Sequence, residues 1–299
     1  MTNRMRFKFA SGLYAQNLLA ANSDRDVVNL FYGFLFSPDD LQDYYSPKPG
    51  QASTVPVNSR LQKANHLIAG FEFDLFKHID VNIEVYQKQF TFLTNINRDK
   101  IVDDDPLHIG FPDVSKKDVI VETGYARGID LVVKYDLKRF YLWVTYSYGY
   151  NRRWDGIREY YPVFDRRHNL NIVSSYALDK KKHWEVNARW NFGTGFPVTP
   201  TQGFYQQIDM TNYMGNYTTQ NGTLGYESGQ LFSGRLPYYH RLDLSVKYKY
   251  NWAEHAILEL TAGATNVYNR ANIFYFDRIT YQRKNQLPIL PTVNMSFTF

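Results

Sequence analysis

This sequence predicts an all-β protein, an antiparallel up-and-down transmembrane β-barrel of about ten strands. Three observations support the prediction. Polar and apolar residues alternate with period two; several of these segments reach the roughly 9–11 residues that a tilted strand needs to cross a bilayer; and long and short connections alternate between them. Soluble strands average only about 5–6 residues. A soluble Greek-key sandwich also has no reason to alternate long and short loops.

The segment 241–250 shows the alternation most clearly, because successive side chains of an extended chain leave opposite faces. One face carries Leu242, Leu244, Val246, Tyr248 and Tyr250, and the other carries Arg241, Asp243, Ser245, Lys247 and Lys249. A soluble sheet would turn the first face to a core, whereas a membrane barrel would turn it to lipid. A charge on the lipid face costs about 2–4 kcal/mol at the midplane. The uncharged faces of this segment and others therefore favour the barrel.

The other strands follow from the same pattern in chain order. The predicted strands cover residues 5–13, 62–76, 81–87, 122–135, 140–148, 168–178, 184–192, 241–250, 256–265 and 292–299. The alternation blurs near Gln87, where we expect either a β-bulge or emergence of the strand from the bilayer. A short helix is expected within residues 26–36, between the first two strands.

The connections predict an orientation. Long loops are expected at 95–121 and 195–238, and short turns are expected near His78, Leu137, Lys181 and Trp252. Bacterial outer-membrane barrels have short periplasmic turns and long extracellular loops. The first strand is therefore expected to run outward, and the last strand is expected to end at Phe299 on the periplasmic side.

Composition narrows the classes of function. No apolar run approaches the roughly 18–20 residues of a membrane helix, so helical membrane spans are excluded. The chain has no cysteine, and its 25 tyrosines and 21 phenylalanines suit a β-rich protein with aromatic girdles. The net charge of +5 comes from basic residues scattered along the strands rather than clustered. Nucleic-acid binding is therefore not expected.

No enzyme, metal site or cofactor is predicted. The histidines lack His-x-x-x-His and His-Glu-x-x-His spacing, and no Gly-x-Ser-x-Gly elbow is present. The run Asp103–Asp105 could attract calcium, but it lacks the spaced ligands of an EF-hand loop, so a solvated acidic loop is favoured. We expect the inner-face charges to pair across neighbouring strands rather than to bind solute; these are Glu185, Arg189, Arg241, Asp243 and Glu259.

Several motifs occur in an order that resembles the C-terminal half of the barrel of TonB-dependent outer-membrane receptors. They are the segments 165–171 (DRRHNLN), 193–200 (GTGFPVTP), 234–243 (GRLPYYHRLD), 265–272 (TNVYNRAN) and 286–299, which starts QLPILP. The resemblance covers essentially the whole chain. It implies that residues 1–299 form one domain, the C-terminal portion of a twenty-two-stranded barrel that encloses an N-terminal plug.

The resemblance also implies partners. These are outer-membrane lipid, the barrel assembly machinery, and the N-terminal barrel and plug portion, through which the TonB energising complex would act. The chain contains no recognisable plug, TonB box or signal peptide, so we expect a fragment whose first and last strands are separate free edges. The terminal Phe297 and Phe299 resemble the outer-membrane assembly signal, although Asn294 stands where that pattern often has glycine.

The function implied is active import of a large scarce solute, such as a metal chelate, glycan or peptide. The alternatives are a truncated or structural barrel that does not transport, and a small self-closed porin. The loop 195–238 is rich in aromatic and amide side chains that suit a ligand-gripping surface, although an ordinary extracellular loop would look similar. Its candidate ligand-binding residues are Tyr205, Tyr213, Tyr217 and Tyr226.

Overall fold

The computed structural model describes residues 5–21, 33–36, 40–50, 53–97, 116–207, 223–251, 256–277, 280 and 282–299. Its regular elements are β-strands, as the alternation predicts. Across these residues, no helix has both the length and the apolar character that a membrane span requires.

Ten long strands in the described part of the chain form one ladder. They are β1 (Met5–Gln16), β2 (Gln62–Leu75), β3 (Ile79–Ile96), β4 (Val119–Leu137), β5 (Phe140–Trp154), β6 (His168–Ala177), β7 (Trp184–Gly193), β8 (Tyr239–Asn251), β9 (Ile257–Thr265) and β10 (Leu290–Thr298). Each pairs antiparallel with the next strand in the chain. This is the up-and-down order that the connection lengths predict.

One local expectation is wrong, and one of the two alternatives at Gln87 is excluded. Gly33–Phe36 is not helical but forms a strand that pairs with Leu18–Ala21, because its Phe-Leu-Phe run favours the extended chain and a partner is at hand; residues 26–32 lie outside the described residues. The register of β3 shifts between Phe90 and Leu93 rather than near Gln87. The pairing is still regular at Gln87, so the polar residue there marks emergence from the apolar band and not a bulge.

The register sorts the side chains onto two faces, which we call the apolar face and the polar face. One row of the apolar face consists of Phe7, Phe71, Ile83, Leu131, Tyr146 and Leu170, and another consists of Tyr176, Val186, Val246, Ala262 and Val293. One row of the polar face consists of Ser175, Asn187, Ser245, Gly263 and Thr292. The faces keep their identity from strand to strand in these rows because the pairing there is continuous; the register shifts lie beyond them, at Lys63–Ala64 and Phe90–Leu93.

The apolar face is not covered by protein. Phe71 is 45% exposed, Leu244 is 39% exposed and Val293 is 85% exposed. A soluble domain rarely leaves so large a contiguous apolar surface in water. The exposed surface is therefore the one suited to hydrocarbon, as the alternation predicts.

Charges on the polar face pair with one another. Lys247 contacts Glu185 across β7 and β8 at 3.4 Å, and Lys249 contacts Glu259 across β8 and β9 at 3.7 Å. Both pairings confirm the expected cross-strand pattern. Arg241 and Asp243 instead pair within β8, at 2.9 Å. Arg189 lies opposite Asp243 in the register and makes no ion pair with any described residue.

The two ends of the sheet differ, because the strand connections are short at one end and long at the other. Residues 76–78, 138–139 and 178–183 form short connections, as predicted near His78, Leu137 and Lys181. The predicted turn at Trp252 lies outside the described residues. The long connections contain short two-stranded ribbons, including Thr201–Gln207 with Thr223–Ser228. We call this second end the loop end.

The first and last strands of the ladder, β1 and β10, do not pair with each other in the part of the chain that the structure describes. This confirms the expected separate edges. It also removes the support for a small self-closed porin, which would need a hydrogen-bonded ladder between these two strands.

Two small cores lie at the loop end, where β4 and β5 extend beyond the apolar band. Leu41, Phe92, Val119 and Val121 form one of them. Tyr160, Leu231 and Phe232 form the other. The segment around Leu41 is held there by hydrogen bonds, including one from the Trp154 indole to the Ser46 carbonyl at 3.0 Å. The packed interior of the described chain therefore anchors the loops.

The face assignment can be tested at adjacent residues of β7. Val186→Arg places a charge on the apolar face and is expected to lower the free energy of unfolding by about 2–4 kcal/mol. Asn187→Arg places the same charge on the polar face, where the paired residues Ser175 and Ser245 are small, and is expected to change stability by less than about 1 kcal/mol. Denaturant titration in phospholipid vesicles measures both. Equal destabilisation by the two variants would contradict the assignment.

Candidate ligand-binding site at the loop end

The centre of the loop end is the buried carboxylate of Asp165, which is 0% exposed. Arg235 donates through Nη2 to Asp165 Oδ2 at 2.5 Å and through Nη1 to the Asp165 carbonyl at 3.0 Å. The backbone N–H of Asn151 donates to Oδ1 at 3.0 Å, and Arg167 Nη2 lies 3.4 Å from Oδ2. Two of the sequence motifs, 165–171 and 234–243, are therefore joined by one ion pair across 70 residues of chain.

Aromatic rings pack against these arginines. Arg167 lies 4.0 Å from the Tyr150 ring, and Arg235 lies 5.3 Å from the Tyr161 ring. Arg152 lies 3.6 Å from the Tyr161 ring and donates to the Tyr161 hydroxyl at 2.7 Å. Each such contact is worth about 0.5–2 kcal/mol, depending on how dry it is. The stack holds the loop before β6 against the end of β5.

The segment after β7 crosses the segment before β8 at a glycine. A Cβ at Gly195 would lie 1.5 Å from the Leu236 carbonyl oxygen, so no other residue fits there without moving the backbone. The crossing is fixed by the Leu236 N–H, which donates to the Phe196 carbonyl at 2.9 Å. The glycine of the GTGFP motif is thus explained by this close backbone approach.

A second buried acid lies at the top of β4. Glu122 is 1% exposed and accepts hydrogen bonds from the Tyr160 hydroxyl at 2.5 Å and from Asn95 Nδ2 at 3.1 Å. Arg153 Nη1 lies 3.1 Å from its other oxygen. The charge is paired and hydrogen-bonded, as a buried carboxylate must be. The arrangement ties β3, β4 and β5 together beyond the apolar band.

The asparagines of the motif 265–272 serve the turn after β9. Asn266 and Asn269 have φ values of 53° and 51°, a left-handed conformation that asparagine tolerates. Asn266 Nδ2 donates to the Arg270 carbonyl at 2.9 Å, and Asn272 exchanges two hydrogen bonds with the backbone of His240. The motif therefore docks this turn onto the start of β8.

A pocket of about 140 Å³ opens between these docked segments. Its lining includes Arg166, Phe196, Pro237, Tyr239, Phe274 and Gln286. Arg166 donates through Nε to the Thr194 carbonyl at 3.1 Å, and its guanidinium lies 4.2 Å from the Phe196 ring and 5.7 Å from the Tyr239 ring. A Cβ at Gly193 would come within 2.6 Å of that guanidinium. The glycine therefore lets Arg166 lie flat over the end of β7.

Burial lowers the pKa of the Arg166 guanidinium from its ordinary value, and the neighbouring Tyr239 opposes this in part. Arginine still remains charged at neutral pH. The pocket therefore contains a partly desolvated cation whose terminal nitrogens make no hydrogen bond to any described residue. Sequence reasoning gave Arg166 no role, because only the folded chain shows that its neighbour Asp165 turns away to Arg235.

The predicted ligand-binding tyrosines are only partly accounted for. Tyr205 and Tyr226 lie in the paired strands Thr201–Gln207 and Thr223–Ser228, where Tyr205 faces Gly225 and Tyr226 faces Phe204. Because adjacent register positions alternate in side, the two tyrosines leave opposite faces of the ribbon. They do not converge on one ligand surface. Tyr213 and Tyr217 lie outside the described residues.

The terminal aromatic residues lie at the edge of the sheet. Phe297 pairs with Leu258 on the apolar face and is 53% exposed, and Phe299 is 92% exposed. No group of three or more His, Cys, Asp or Glu side chains in the described segments is arranged to hold a metal ion. The run Asp103–Asp105 lies outside the described residues.

The Asp165–Arg235 pair predicts a specific pattern of stability. Arg235→Gln leaves the buried Asp165 carboxylate without its main positive partner. The variant is expected to lower the free energy of unfolding by about 3–5 kcal/mol. Adding Asp165→Asn removes the buried charge, so the double variant is expected to recover part of that loss. Denaturant titration of the wild type, both single variants and the double variant gives the coupling energy. A coupling energy near zero would contradict the role given to this pair.

The backbone crossing gives a second prediction. Gly195→Ala is expected to displace the segment at Leu236 and to expose the loop 195–238 to protease, because the added methyl group overlaps the Leu236 carbonyl. Gly203→Ala is the control, since the nearest atom to its added methyl group would be a Glu227 side-chain oxygen at an ordinary 3.4 Å. Limited proteolysis measures both. Equal cleavage rates in the two variants would show that the crossing does not depend on glycine.

No protein-family model and no curated protein matches this sequence. Its fold, however, is similar to solved structures. The ferric-catecholate import receptor Fiu from E. coli K12 aligns over 100% of this chain and 33% of its own, with a TM-score of 0.56 and 10% identity. The copper transporter OprC aligns over 100% of this chain and 38% of its own, with a TM-score of 0.51 and 11% identity.

The ferripyoverdine-bound receptor FpvA of P. aeruginosa aligns over 80% of this chain and 27% of its own, with a TM-score of 0.50 and 10% identity. The chain thus spans roughly a third of the length of the solved structures that it matches. At these identities the likeness establishes the fold. The chain has the fold of a section of the β-barrel of TonB-dependent outer-membrane receptors.

Proposed function

We propose that this chain forms barrel wall and extracellular loops in a TonB-dependent receptor of the outer membrane, and that the receptor imports a large scarce solute such as a metal chelate, glycan or peptide. The observation that carries the proposal is the ten-strand ladder, with its apolar face uncovered and its polar face lined by paired charges. A wall of this kind separates hydrocarbon from a wet interior.

The architecture of the loop end supports a receptor rather than a passive wall. The described parts of its loops are fixed by buried ion pairs and by a glycine crossing, so those parts present a defined surface. Two of the structural neighbours are described as an import receptor for ferric catecholate and as a copper transporter. These descriptions favour a metal chelate among the three solute classes.

In this proposal the short turns face the periplasm and the loop end faces outward. Outer-membrane lipid contacts the apolar face, and Phe297 and Phe299 are recognised by the barrel assembly machinery. Further strands and a plug are contributed by parts of the receptor beyond this ladder, and the TonB energising complex acts through that plug. Tyr205 and Tyr226 lie on opposite faces of their ribbon, so in this proposal each contacts a different part of a large solute. Tyr213 and Tyr217 of the same loop are the other proposed contacts.

The test is uptake in the source bacterium. Deleting the gene is expected to abolish import of at least one member of a panel of ferric chelates, copper, oligosaccharides and peptides, and inactivating TonB is expected to have the same effect. Uptake is followed with isotope-labelled solutes in the full receptor. Normal uptake of the entire panel after deletion, or import that persists without TonB, would refute the proposal.

Single-residue variants then test where the solute binds. Tyr205→Ala and Tyr226→Ala are each expected to raise the half-saturation concentration of uptake several-fold, because aromatic residues often dominate binding at exposed surfaces. Tyr141→Ala, on β5 near the short-turn end, is the control and is expected to leave it unchanged. An equal effect of all three variants would show that the loop tyrosines have no special role.

A further inference from the structure

We propose that the pocket around Arg166 binds a carboxylate group of the solute. The inference rests on the proposed function only in assigning that carboxylate to an imported molecule. The binding site itself follows from the arrangement of Arg166, Phe196 and Tyr239.

The first argument is the contrast between Arg166 and its neighbours. Several other arginines around the loop end have acidic partners within the ion-pair distance, namely Arg152, Arg153, Arg158, Arg167 and Arg235. Arg270 and Arg283 have none among the described residues, but neither of them lines the pocket. Arg166 has none among the residues that the structure describes, although it is half-buried among the docked loops. A partly buried cation without an anion is an unfavourable arrangement that binding of an anion would relieve.

The second argument concerns the geometry of the guanidinium. The hydrogen bond from Nε to the Thr194 carbonyl uses one of its donors and leaves the terminal nitrogens available. A guanidinium offers parallel donors that match the two oxygens of a carboxylate. The contact with Phe196 at 4.2 Å and the bare backbone at Gly193 hold the group in place before any ligand arrives. Such preorganisation reduces the entropy lost on binding.

The third argument is the chemistry of the walls. Phe196, Tyr239 and Phe274 offer ring surfaces, and Gln286 offers an amide that can accept or donate. A carboxylate attached to an aromatic or aliphatic group would place its charge on Arg166 and its apolar part against these rings. A fully hydrated inorganic anion would use only the cation. The lining therefore favours an organic carboxylate over phosphate.

The test is equilibrium binding of 4-fluorobenzoate to the purified full receptor in detergent, followed by fluorine NMR, with citrate and inorganic phosphate as competitors. Arg166→Gln is expected to weaken binding at least about tenfold, the effect of losing a charge-assisted hydrogen bond. Gly193→Ala is expected to weaken it as well, because the added methyl group displaces the guanidinium. Arg166→Lys keeps the charge but loses the paired donors, so its affinity for 4-fluorobenzoate is expected to lie between those of the wild type and Arg166→Gln.

Arg158→Gln is the matched control, since it removes a loop-end arginine that already pairs with Asp155 at 3.9 Å and lies outside the pocket. It is expected to change binding by less than about twofold. The mobility of each variant on cold SDS gels shows that the barrel is folded. Wild-type affinity in Arg166→Gln, no binding by the wild type, or stronger competition by phosphate than by citrate would overturn the proposal.

The result is separable from the uptake experiment. Import that depends on the gene and on TonB, without fluorobenzoate binding, would leave the receptor function standing and reject the pocket. Fluorobenzoate binding that depends on Arg166, without any import, would establish the pocket and reject transport.

Discussion

The constraint on which this structure depends is the need to pair every backbone N–H and C=O of a strand placed in hydrocarbon. Lipid offers no hydrogen bonds, and an unsatisfied backbone group there costs several kcal/mol. Continuous antiparallel pairing meets this need, and it fixes the register of each strand against its neighbours. Once the register is fixed, the period-two alternation of each strand adds up to a single apolar surface. The apolar face is therefore a property of the ladder and not of any one strand.

Beyond the apolar band the same strands obey different rules. There β3, β4 and β5 continue into a region where buried charges are satisfied by protein groups, as at Glu122 and Asp165. Removing one partner of such a group is costly because the remaining charge stays buried. The loops are thus fixed by polar ties, whereas the strands below them are fixed by backbone pairing. The candidate pocket lies above the strands, among loops that these ties hold together.

The parts of this fold that could be predicted from the sequence are those set by local pattern. The opposite placement of Val186 and Asn187 follows from alternation alone, and so do the short turns near His78 and Leu137. The two alternatives at Gln87 could not be separated from the sequence, because a polar residue can interrupt the apolar pattern without disturbing the pairing. Gly33–Phe36 was assigned to a helix because its conformation depends on pairing with Leu18–Ala21. The residue pattern within one segment does not reveal which other segment it pairs with.

The candidate site was beyond the reach of local pattern for a related reason. Asp165 and Arg235 are 70 residues apart, and neither motif contains a pattern that identifies the other residue as its partner. Arg166 and Arg167 are adjacent and chemically identical, yet Arg167 pairs with Asp165 whereas Arg166 lines the pocket. Tyr205 and Tyr226 lie between β7 and β8, but the register that places them on opposite faces exists only in the folded ribbon. Tertiary contacts, not composition, distinguish these residues.

The tie between Asp165 and Arg235 has a consequence for how such a protein can diversify. The pair joins a residue before the ribbon Thr201–Gln207 and Thr223–Ser228 to a residue after it. The ends of that ribbon are therefore held whatever the amino-acid sequence of the ribbon itself. Lengthening a surface loop whose ends are already clamped adds little entropic penalty. Insertions and amino-acid substitutions within the ribbon would leave the residues that line the pocket in place. Natural selection can therefore alter the sequence of this loop while its base stays unchanged.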